Sequence, residues 1–260
     1  MINRFLYKSI KSILKKFNYN LVKKKNEKLD FLYPEYTNEE LEIIETAKLF
    51  SMTSYQKLNF LLRSIEYVNN KKLEGDFVEC GVWKGGNLIL FKKMMTRLNI
   101  TDKLIYAFDT FEGMTKPTDI DVDIRFDNEK AEDVMKRSIK DYNNHSIHCY
   151  YPIDKVKENL TNNCKDIENI KLIKGDVLKT LLISRNIPDK ISILRLDTDW
   201  YESTKIELEI LFPKLVKDGI LIIDDYGDYF GCKKAVDEYF KDKKISMFKV
   251  DSGARMLIKT

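Results

Sequence analysis

The chain has 260 residues, of which 43% are hydrophobic, and its 45 Lys and Arg residues against 41 Asp and Glu residues give a formal net charge of +4. This length suits one large α/β domain with an appendage, and this apolar content excludes wholesale disorder. A charge so close to balance argues against a nucleic-acid partner.

The four cysteines (Cys80, Cys149, Cys164 and Cys232) include no CxxC pair. They predict neither a disulfide framework nor a zinc site, and they favour a cytoplasmic location.

Residues 1–36 form a basic arm whose apolar residues, including Phe5, Ile10 and Phe17, recur at helical spacing. Two interpretations stay open for this arm. It could contact an anionic membrane surface, at the inner face of the membrane, or it could pack on the domain or on a second copy of the chain. It lacks the apolar centre and the cleavage site of a secretory signal, and no run reaches the roughly 18–20 apolar residues that span a bilayer.

Two helices are predicted next, in a segment (residues 37–75) that we expect to serve as a lid or as a homo-oligomer interface. Thr37 is a candidate N-cap for the first helix, because Glu40 three residues later completes a capping box. The second helix is predicted to start near Ser54. Residues 76–260 then form the third part of the chain, the main domain.

Strands alternate with helices throughout the main domain. Near-continuous apolar runs predict strands at residues 76–80, 103–109, 169–175, 190–197 and 219–224. Helical patterns lie between them, at residues 86–98, 154–163, 177–184, 201–215 and 230–242. Two closing strands, 246–250 and 254–260, flank the turn "DSG". The order predicts an α/β fold: a doubly wound, mostly parallel sheet of seven strands with an antiparallel C-terminal strand.

One connection, residues 114–150, is polar, acidic and longer than an ordinary strand-to-helix connection. Its "DIDVDIRFDNEK" starts like a calcium-binding loop, but Ile124 occupies the required Gly position and Lys130 the closing Glu position. The EF-hand interpretation therefore fails. We expect a solvated acidic loop near the mouth of an active site.

The turn after the first strand, "VECGVWKGGN", suggests a ligand site. Gly81 and Gly85 permit tight turning and close approach of the backbone to a ligand, and Glu79 can accept hydrogen bonds. The stretch matches neither G-x-G-x-x-G nor the P-loop pattern. A dinucleotide or nucleoside-triphosphate enzyme is therefore disfavoured.

Acidic residues after the second and third strands favour an adenosine-containing ligand. Asp109, in "YAFDTFEGM", is placed to bind ribose hydroxyls, although an Asp at this position can equally cap a helix. After the third strand, "KGDV" places Asp176 and Val177 where an adenine ring would lie. Each of these acidic residues alone is weak evidence for an adenosine-containing ligand. Their order along the chain, after successive strands, strengthens that inference.

Two further strands, which should be neighbours, both end in acidic residues. Asp197 follows "ISILRL", and Asp224 and Asp225 follow "GILII". Carboxylates on adjacent strand ends could coordinate Mg²⁺, a hard cation that prefers oxygen ligands. Helix capping would explain one Asp at each strand end, but it explains neither Asp199 nor the doubled Asp224–Asp225.

The strings "SMTSYQKL", "FVECGVWKGGN", "YAFDTFEGM", "LRLDTDWYEST" and "GILIIDDYGD", taken in order, resemble the macrocin O-methyltransferase family of S-adenosylmethionine-dependent enzymes. The resemblance implies a class I methyltransferase fold and methylation of a sugar hydroxyl. It implies Mg²⁺ held by Asp197, Asp224 and Asp225, with Asp199 as the general base. The cofactor-binding residues that it implies are Met52, Thr53, Glu79, Gly81, Gly85, Asn87, Asp109, Thr110, Phe111, Gly113, Asp176 and Val177.

Two other functions stay open on the sequence. "LDTDW" also resembles the D-x-D strand ends with which metal-dependent glycosyltransferases hold Mn²⁺ and a sugar nucleotide, but that class would not need the two motifs of the cofactor side. A non-catalytic binding protein could retain the same fold. The intact acidic positions on two strand ends argue against such decay.

Overall fold

The computed structural model describes residues 34–143 and 145–260 of the chain. Contacts divide the chain into two units, Met1–Leu41 and Glu42–Thr260, and the whole of the large sheet belongs to the second unit. Most of the predicted amphipathic arm, residues 1–33, lies outside the described residues. Within the described part, no helix combines the length and the apolar character that crossing a membrane requires.

The helices and strands follow the predicted alternation. The α-helices are α1 Asn38–Leu49, α2 Tyr55–Asn70, α3 Gly86–Arg97, α4 Ala131–Arg137, α5 Ile153–Asn163, α6 Val177–Thr180, α7 Tyr201–Leu211 and α8 Phe230–Phe240. The strands are β1 Asp76–Cys80, β2 Ile105–Asp109, β3 Val122–Asp123, β4 Glu129–Lys130, β5 Ile170–Lys174, β6 Ile191–Leu196, β7 Leu215–Ile223, β8 Phe248–Lys249 and β9 Arg255–Ile258.

Seven of these strands form the sheet, in the order β5-β2-β1-β6-β7-β9-β8. The neighbours from β5 to β7 pair in parallel, while β9 runs antiparallel to both β7 and β8. The predicted doubly wound sheet with an antiparallel C-terminal strand is therefore confirmed. The chain moves outward from β1 first towards β5 and then towards β7, so the strand order reverses beside β1, where doubly wound folds bind their ligands.

Several boundaries differ from prediction for local reasons. The helix predicted over 201–215 ends at Leu211, because Pro213 follows and residues Phe212–Lys214 form a 3₁₀ turn. The one predicted over 177–184 shortens to a single turn, Val177–Thr180. The connection 114–150 is more ordered than predicted: it contains the antiparallel pair β3–β4, followed by α4.

The predicted helix starts are confirmed by their hydrogen bonds. The backbone N–H of Glu40 donates to Thr37 Oγ1 at 3.2 Å, and the N–H of Thr37 donates to Glu40 Oε2 at 2.7 Å, which completes the capping box. Ser54 caps α2 by accepting from the N–H of Lys57. This cap fixes the first turn of α2, the turn that carries Lys57 towards the ends of the central strands.

Candidate active site

A cavity of about 690 Å³ opens at the carboxyl ends of the central parallel strands. Its wall combines the turns after β1, β2 and β5, the ends of β6 and β7, the segment before α2, and part of the connection 114–150. Most of the predicted site residues line it together: Met52, Thr53, Gly81, Asn87, Asp109, Thr110, Gly113, Asp176, Val177, Asp197, Asp199, Asp224 and Asp225. The topology thus gathers residues that lie more than 170 positions apart in the sequence.

Three residues predicted to bind a cofactor do not line the cavity, and their role in cofactor binding stays a prediction. Glu79 is fully buried behind the wall, where its Oε1 accepts hydrogen bonds from Asn87 Nδ2 at 2.9 Å and from Arg195 Nη1 at 2.8 Å. A Cβ on Gly85 would meet Val156 of α5. Phe111 is 2% exposed and packs into the core.

Asp109 organises the turns at one end of the cavity. Its Oδ2 accepts hydrogen bonds from the backbone N–H groups of Val82 at 2.7 Å and Trp83 at 3.0 Å, while its Oδ1 accepts from that of Phe111 at 2.6 Å. Burial raises the pKa of Asp109, and these backbone donors oppose that rise. The carboxylate therefore ties the turn after β1 to the turn after β2 at the wall of the cavity.

Gly81 permits a close approach between two strand ends. Its φ is +91°, and a Cβ at this position would lie 1.9 Å from the backbone oxygen of Asp197. A side chain here would therefore displace the end of β6. The turn beside Asp109 and the acidic end of β6 meet at this glycine.

An acidic cluster lies at the ends of β6 and β7. Carboxylate oxygens of Asp197, Asp199 and Asp225 all lie within 4.8 Å of one another. Burial raises the pKa of Asp197 to about 6 and that of Asp199 to about 7, and the neighbouring acids add to both shifts. Burial and the charge of Asp199 hold the pKa of Asp225 well above its ordinary value.

Arg195, which the sequence analysis missed, compensates part of this negative charge. It is 1% exposed, and Nη1 contacts Glu79 Oε1 and Asp197 Oδ2, each at 2.8 Å. Nη2 contacts Asp224 Oδ1 at 2.5 Å. A signal was present, because Arg195 is a charged residue inside the apolar run "ISILRL", and a buried charge requires partners.

Lys57 supplies a second cation from outside the sheet. Its Nζ lies 2.5 Å from Asp224 Oδ2 and also donates to the backbone oxygen of Asp224 at 3.2 Å. Although burial lowers the pKa of Lys57, Asp224 and Asp225 raise it further, so that Lys57 stays charged. Sequence spacing does not reveal this residue, because 167 positions separate it from its partner.

Asp224 consequently differs from the other predicted metal ligands. Arg195 takes one of its carboxylate oxygens and Lys57 the other. Burial works against its charged form, but the two cations outweigh burial and hold the pKa of Asp224 below its usual range. The structure therefore groups Asp199, rather than Asp224, with Asp197 and Asp225.

The cluster has the features of a divalent-cation site. Its three carboxyl groups lie close together, two of them half-buried and that of Asp225 buried, and Asp225 Oδ2 is buried without a hydrogen-bond partner among the described residues. Buried carboxylates need such a partner, a proton or a cation, and oxygen ligands in this number suit Mg²⁺. The residues present therefore fit the metal that the family resemblance implies.

The connection 114–150 forms the other end of the cavity, which the sequence predicted only as a loop at the mouth. Arg125 donates from Nε and Nη2 to the two oxygens of Asp123, at 2.9 and 2.7 Å, and Nη2 lies 3.4 Å from Tyr229 Oη. Arg137 and His145 also line the cavity, and the ring of His145 lies 5.0 Å from that of Trp83 in the turn after β1. Donors and acceptors alternate here over a short distance, which suits a ligand rich in hydroxyl groups.

Comparison with known proteins agrees with this geometry. Residues 45–257 match the family model described as Macrocin-O-methyltransferase (TylF). A demethyldecarbamoylnovobiocin O-methyltransferase from Streptomyces niveus is 30% identical over 196 residues, which cover 74% of this chain and 68% of that protein. An 8-demethyl-8-(2,3-dimethoxy-alpha-L-rhamnosyl)-tetracenomycin-C 4'-O-methyltransferase from Streptomyces olivaceus is 28% identical over 189 residues, or 73% of this chain and 67% of that protein.

A solved structure gives the same picture in three dimensions. The O-methyltransferase NovP superposes with a TM-score of 0.68 at 27% sequence identity. The superposition covers 81% of this chain and 82% of NovP. The similarity therefore includes most of the described sheet and its flanking helices.

Proposed function

Because this chain belongs to the macrocin O-methyltransferase family, we propose that it transfers a methyl group from S-adenosylmethionine to a hydroxyl group of a sugar. The observation that carries the proposal is the single cavity that joins the turns after β1 and β2 to the acidic cluster of Asp197, Asp199 and Asp225. The relative from Streptomyces olivaceus is named for an acceptor that carries a rhamnosyl group, which supports a sugar as the acceptor.

The methyl donor would occupy the end of the cavity near Gly81 and Asp109. When bound, S-adenosylmethionine supplies an electrophilic methyl group on a positively charged sulfur. Gly81 leaves room for the ligand to approach the backbone, and Asp176 with Val177 would border the adenine ring. Met52 and Thr53, which line the cavity from the segment before α2, would cover the cofactor.

Asp197 and Asp225 would hold Mg²⁺ together with Asp224, the predicted third ligand, because each Asp224 oxygen that is bonded to a cation keeps a second lone pair for the metal. When bound, Mg²⁺ would lower the pKa of a coordinated sugar hydroxyl. Arg195 and Lys57 fix the orientation of Asp224 and keep the site from carrying an uncompensated excess of negative charge.

Asp199 is the proposed general base. Its carboxylate lines the cavity beside Asp197 and Asp225, close to the residues that would hold the metal. Asp199 would take the proton of the sugar hydroxyl as the hydroxyl oxygen receives the methyl group from the sulfur and S-adenosylhomocysteine leaves. The two histidines of the chain are His145 and His148. His148 does not compete with Asp199 for the role of base, because its Nε2 lies 3.1 Å from the backbone oxygen of Met135.

The remaining parts of the proposal concern the setting of the enzyme. The sugar could be carried by a glycoside, a nucleotide sugar or a surface-polysaccharide precursor. We place the enzyme in the cytoplasm as a homo-oligomer, and two roles stay open for residues 1–36: peripheral contact with the inner face of the membrane, or packing on the domain or on a second copy of the chain. Flotation of the intact chain with anionic liposomes, but not of a variant that lacks residues 1–25, would support that contact, and equal flotation of both would end it.

Two measurements test the proposed function. Thermal shift with S-adenosylhomocysteine, alone and with Mg²⁺, is expected to raise the midpoint of unfolding because a ligand that binds the folded state stabilises it. Transfer of tritium from methyl-labelled S-adenosylmethionine is then measured over a panel of glycosides and nucleotide sugars, with EDTA as the metal control. Stabilisation by a nucleotide sugar with Mn²⁺ alone, without any response to S-adenosylhomocysteine, would overturn the proposal.

A further inference from the structure

Asp199 has a backbone conformation that neighbouring contacts must maintain. Its φ is +64°, in the left-handed region, which costs a residue with a side chain about 1 kcal/mol or more. Asp199 lies in the connection Thr198–Trp200 between β6 and α7, which we call the acid turn. The position of its carboxylate in the cavity therefore depends on what holds the residues on either side of it.

The helix that follows the acid turn is capped from a distant part of the chain. Trp200 occupies the N-cap position of α7, but its side chain makes no capping hydrogen bond. The backbone N–H of Tyr201 instead donates to Asp121 Oδ1 at 2.8 Å, across 80 positions of sequence. Asp121 thus performs the capping role that a Ser, Thr or Asp at the N-cap position usually performs.

Asp121 is held firmly in this position. It is fully buried, and its Oδ2 accepts hydrogen bonds from the backbone N–H and from Oγ1 of Thr118, both at 2.7 Å. Gly231 lies directly against it, since a Cβ there would fall 1.8 Å from Asp121 Oδ1. These contacts fix the Asp121 carboxylate beside the backbone N–H of Tyr201.

A second contact joins the same two segments. The indole Nε1 of Trp200 donates to the backbone oxygen of Thr115 at 3.0 Å. Both residues that follow Asp199 are therefore bonded to the stretch 115–121, which begins the connection that forms the far end of the cavity.

We propose that Asp121 is a positioning residue for the methyl transfer: by capping α7 it holds Asp199 in the left-handed conformation that points its carboxylate into the cavity. This inference rests on the proposed function, in which Asp199 takes the proton. It adds that the 114–150 connection sets the geometry of the general base, in addition to forming a wall for the substrate.

The first test is amide hydrogen exchange, which needs no acceptor substrate. In Asp121→Ala, the peptide that spans residues 198–203 is expected to exchange at least tenfold faster than in the wild type, because the N–H of Tyr201 loses its acceptor. Asp119→Ala is the matched control, since Asp119 is exposed and lies two positions away in the same connection. Unchanged exchange in Asp121→Ala would overturn the proposal.

The second test is kinetic and uses the acceptor that the tritium panel yields. Asp121→Ala is expected to lower kcat roughly 10- to 100-fold, as a small displacement of a catalytic group does, with the dissociation constant of S-adenosylhomocysteine within twofold of wild type. Asp121→Asn should recover only part of kcat, because its amide oxygen can still accept from Tyr201 while its NH2 group faces the backbone N–H of Thr118. A normal kcat in Asp121→Ala would overturn the proposal.

Two further variants keep the result interpretable. If Asp121→Ala does not fold, Trp200→Phe can be used instead, because it removes the hydrogen bond to Thr115. This variant is expected to lower kcat several-fold. A normal kcat in Trp200→Phe would contradict the proposed positioning of Asp199 by the connection. Asp199→Asn separates this inference from the proposed function. Full activity of Asp199→Asn would refute the general base itself, whereas an inactive Asp199→Asn beside a fully active Asp121→Ala would refute only the positioning role.

Discussion

Glu207 is a buried carboxyl group whose replacement should change how stability depends on pH. It is fully buried on α7, and Thr198 Oγ1 donates to its two oxygens at 2.9 and 3.1 Å. Burial raises the pKa of Glu207 from 4.5 to about 8, with smaller contributions from Asp197 and Asp199, while Thr198 and Cys80 oppose the rise. Glu207→Gln replaces the group with an uncharged one of the same shape.

The sign and the size of the effect follow from proton binding. The unfolded chain releases this proton near pH 4.5, but the folded chain keeps it until about pH 8. The folded state therefore binds more protons between these values, and the free energy of unfolding of the wild type falls as the pH rises. For pKa values this far apart, the fall from pH 5 to pH 8 amounts to about 3 kcal/mol.

Urea denaturation at pH 5, 6, 7 and 8 measures this effect directly. The free energy of unfolding of Glu207→Gln, minus that of the wild type, is expected to increase by about 3 kcal/mol across the series. Glu209→Gln is the matched control, because Glu209 is exposed on the same helix. If the difference in free energy of unfolding between Glu207→Gln and the wild type does not change with pH, as expected for the control, then Glu207 does not hold its proton in the folded state.

Three further predictions concern the residues that shape the site. Gly81→Ala should destabilise the fold by several kcal/mol more than Gly85→Ala, because both glycines have positive φ but only Gly81 would drive a Cβ to 1.9 Å from a backbone oxygen; equal urea midpoints would contradict this. Arg195→Met should cost about 3 to 5 kcal/mol, since the buried Glu79 and the half-buried Asp197 lose their cation and Asp224 keeps only Lys57, and a loss below about 1 kcal/mol would show that the network is not electrostatically coupled. A double-mutant cycle of Lys57→Met with Asp224→Asn should give a coupling energy of about 2 kcal/mol, well above that of an exposed pair, and a value near zero would argue against the buried contact.

The sheet could be predicted from the sequence because its central strands are largely apolar on both faces. The strands β1, β2, β5, β6 and β7 all lie within two residues of their predicted limits, except the start of β7, which begins at Leu215 instead of residue 219. The acidic residues could be placed as well, since parallel strands bring their carboxyl ends to one edge of a sheet.

The rest of the site depends on contacts that no local pattern encodes. Lys57 reaches Asp224 only because α2 folds over the ends of the strands, and Asp121 reaches Tyr201 only because the 114–150 connection folds back on α7. Glu79 was assigned to the cofactor because it lies in the motif "FVECGVWKGGN", which resembles the cofactor side of the family. The pleat of the strand turns the Glu79 side chain away from the cavity, towards Arg195. Because β1 is buried on both faces, its sequence does not show which of its residues face the cavity.

The proposed role of Asp199 as the general base is tested by the single-turnover rate of methyl transfer, measured in Asp199→Asn and in the wild type. With both enzymes saturated with S-adenosylmethionine, Mg²⁺ and the acceptor, the rate is expected to fall roughly 10²- to 10⁴-fold, the contribution of a general base. The dissociation constant of S-adenosylhomocysteine should stay within twofold, because the proposed role of Asp199 is to take a proton from the acceptor and not to bind the methyl donor. A rate within threefold of the wild type would contradict the account.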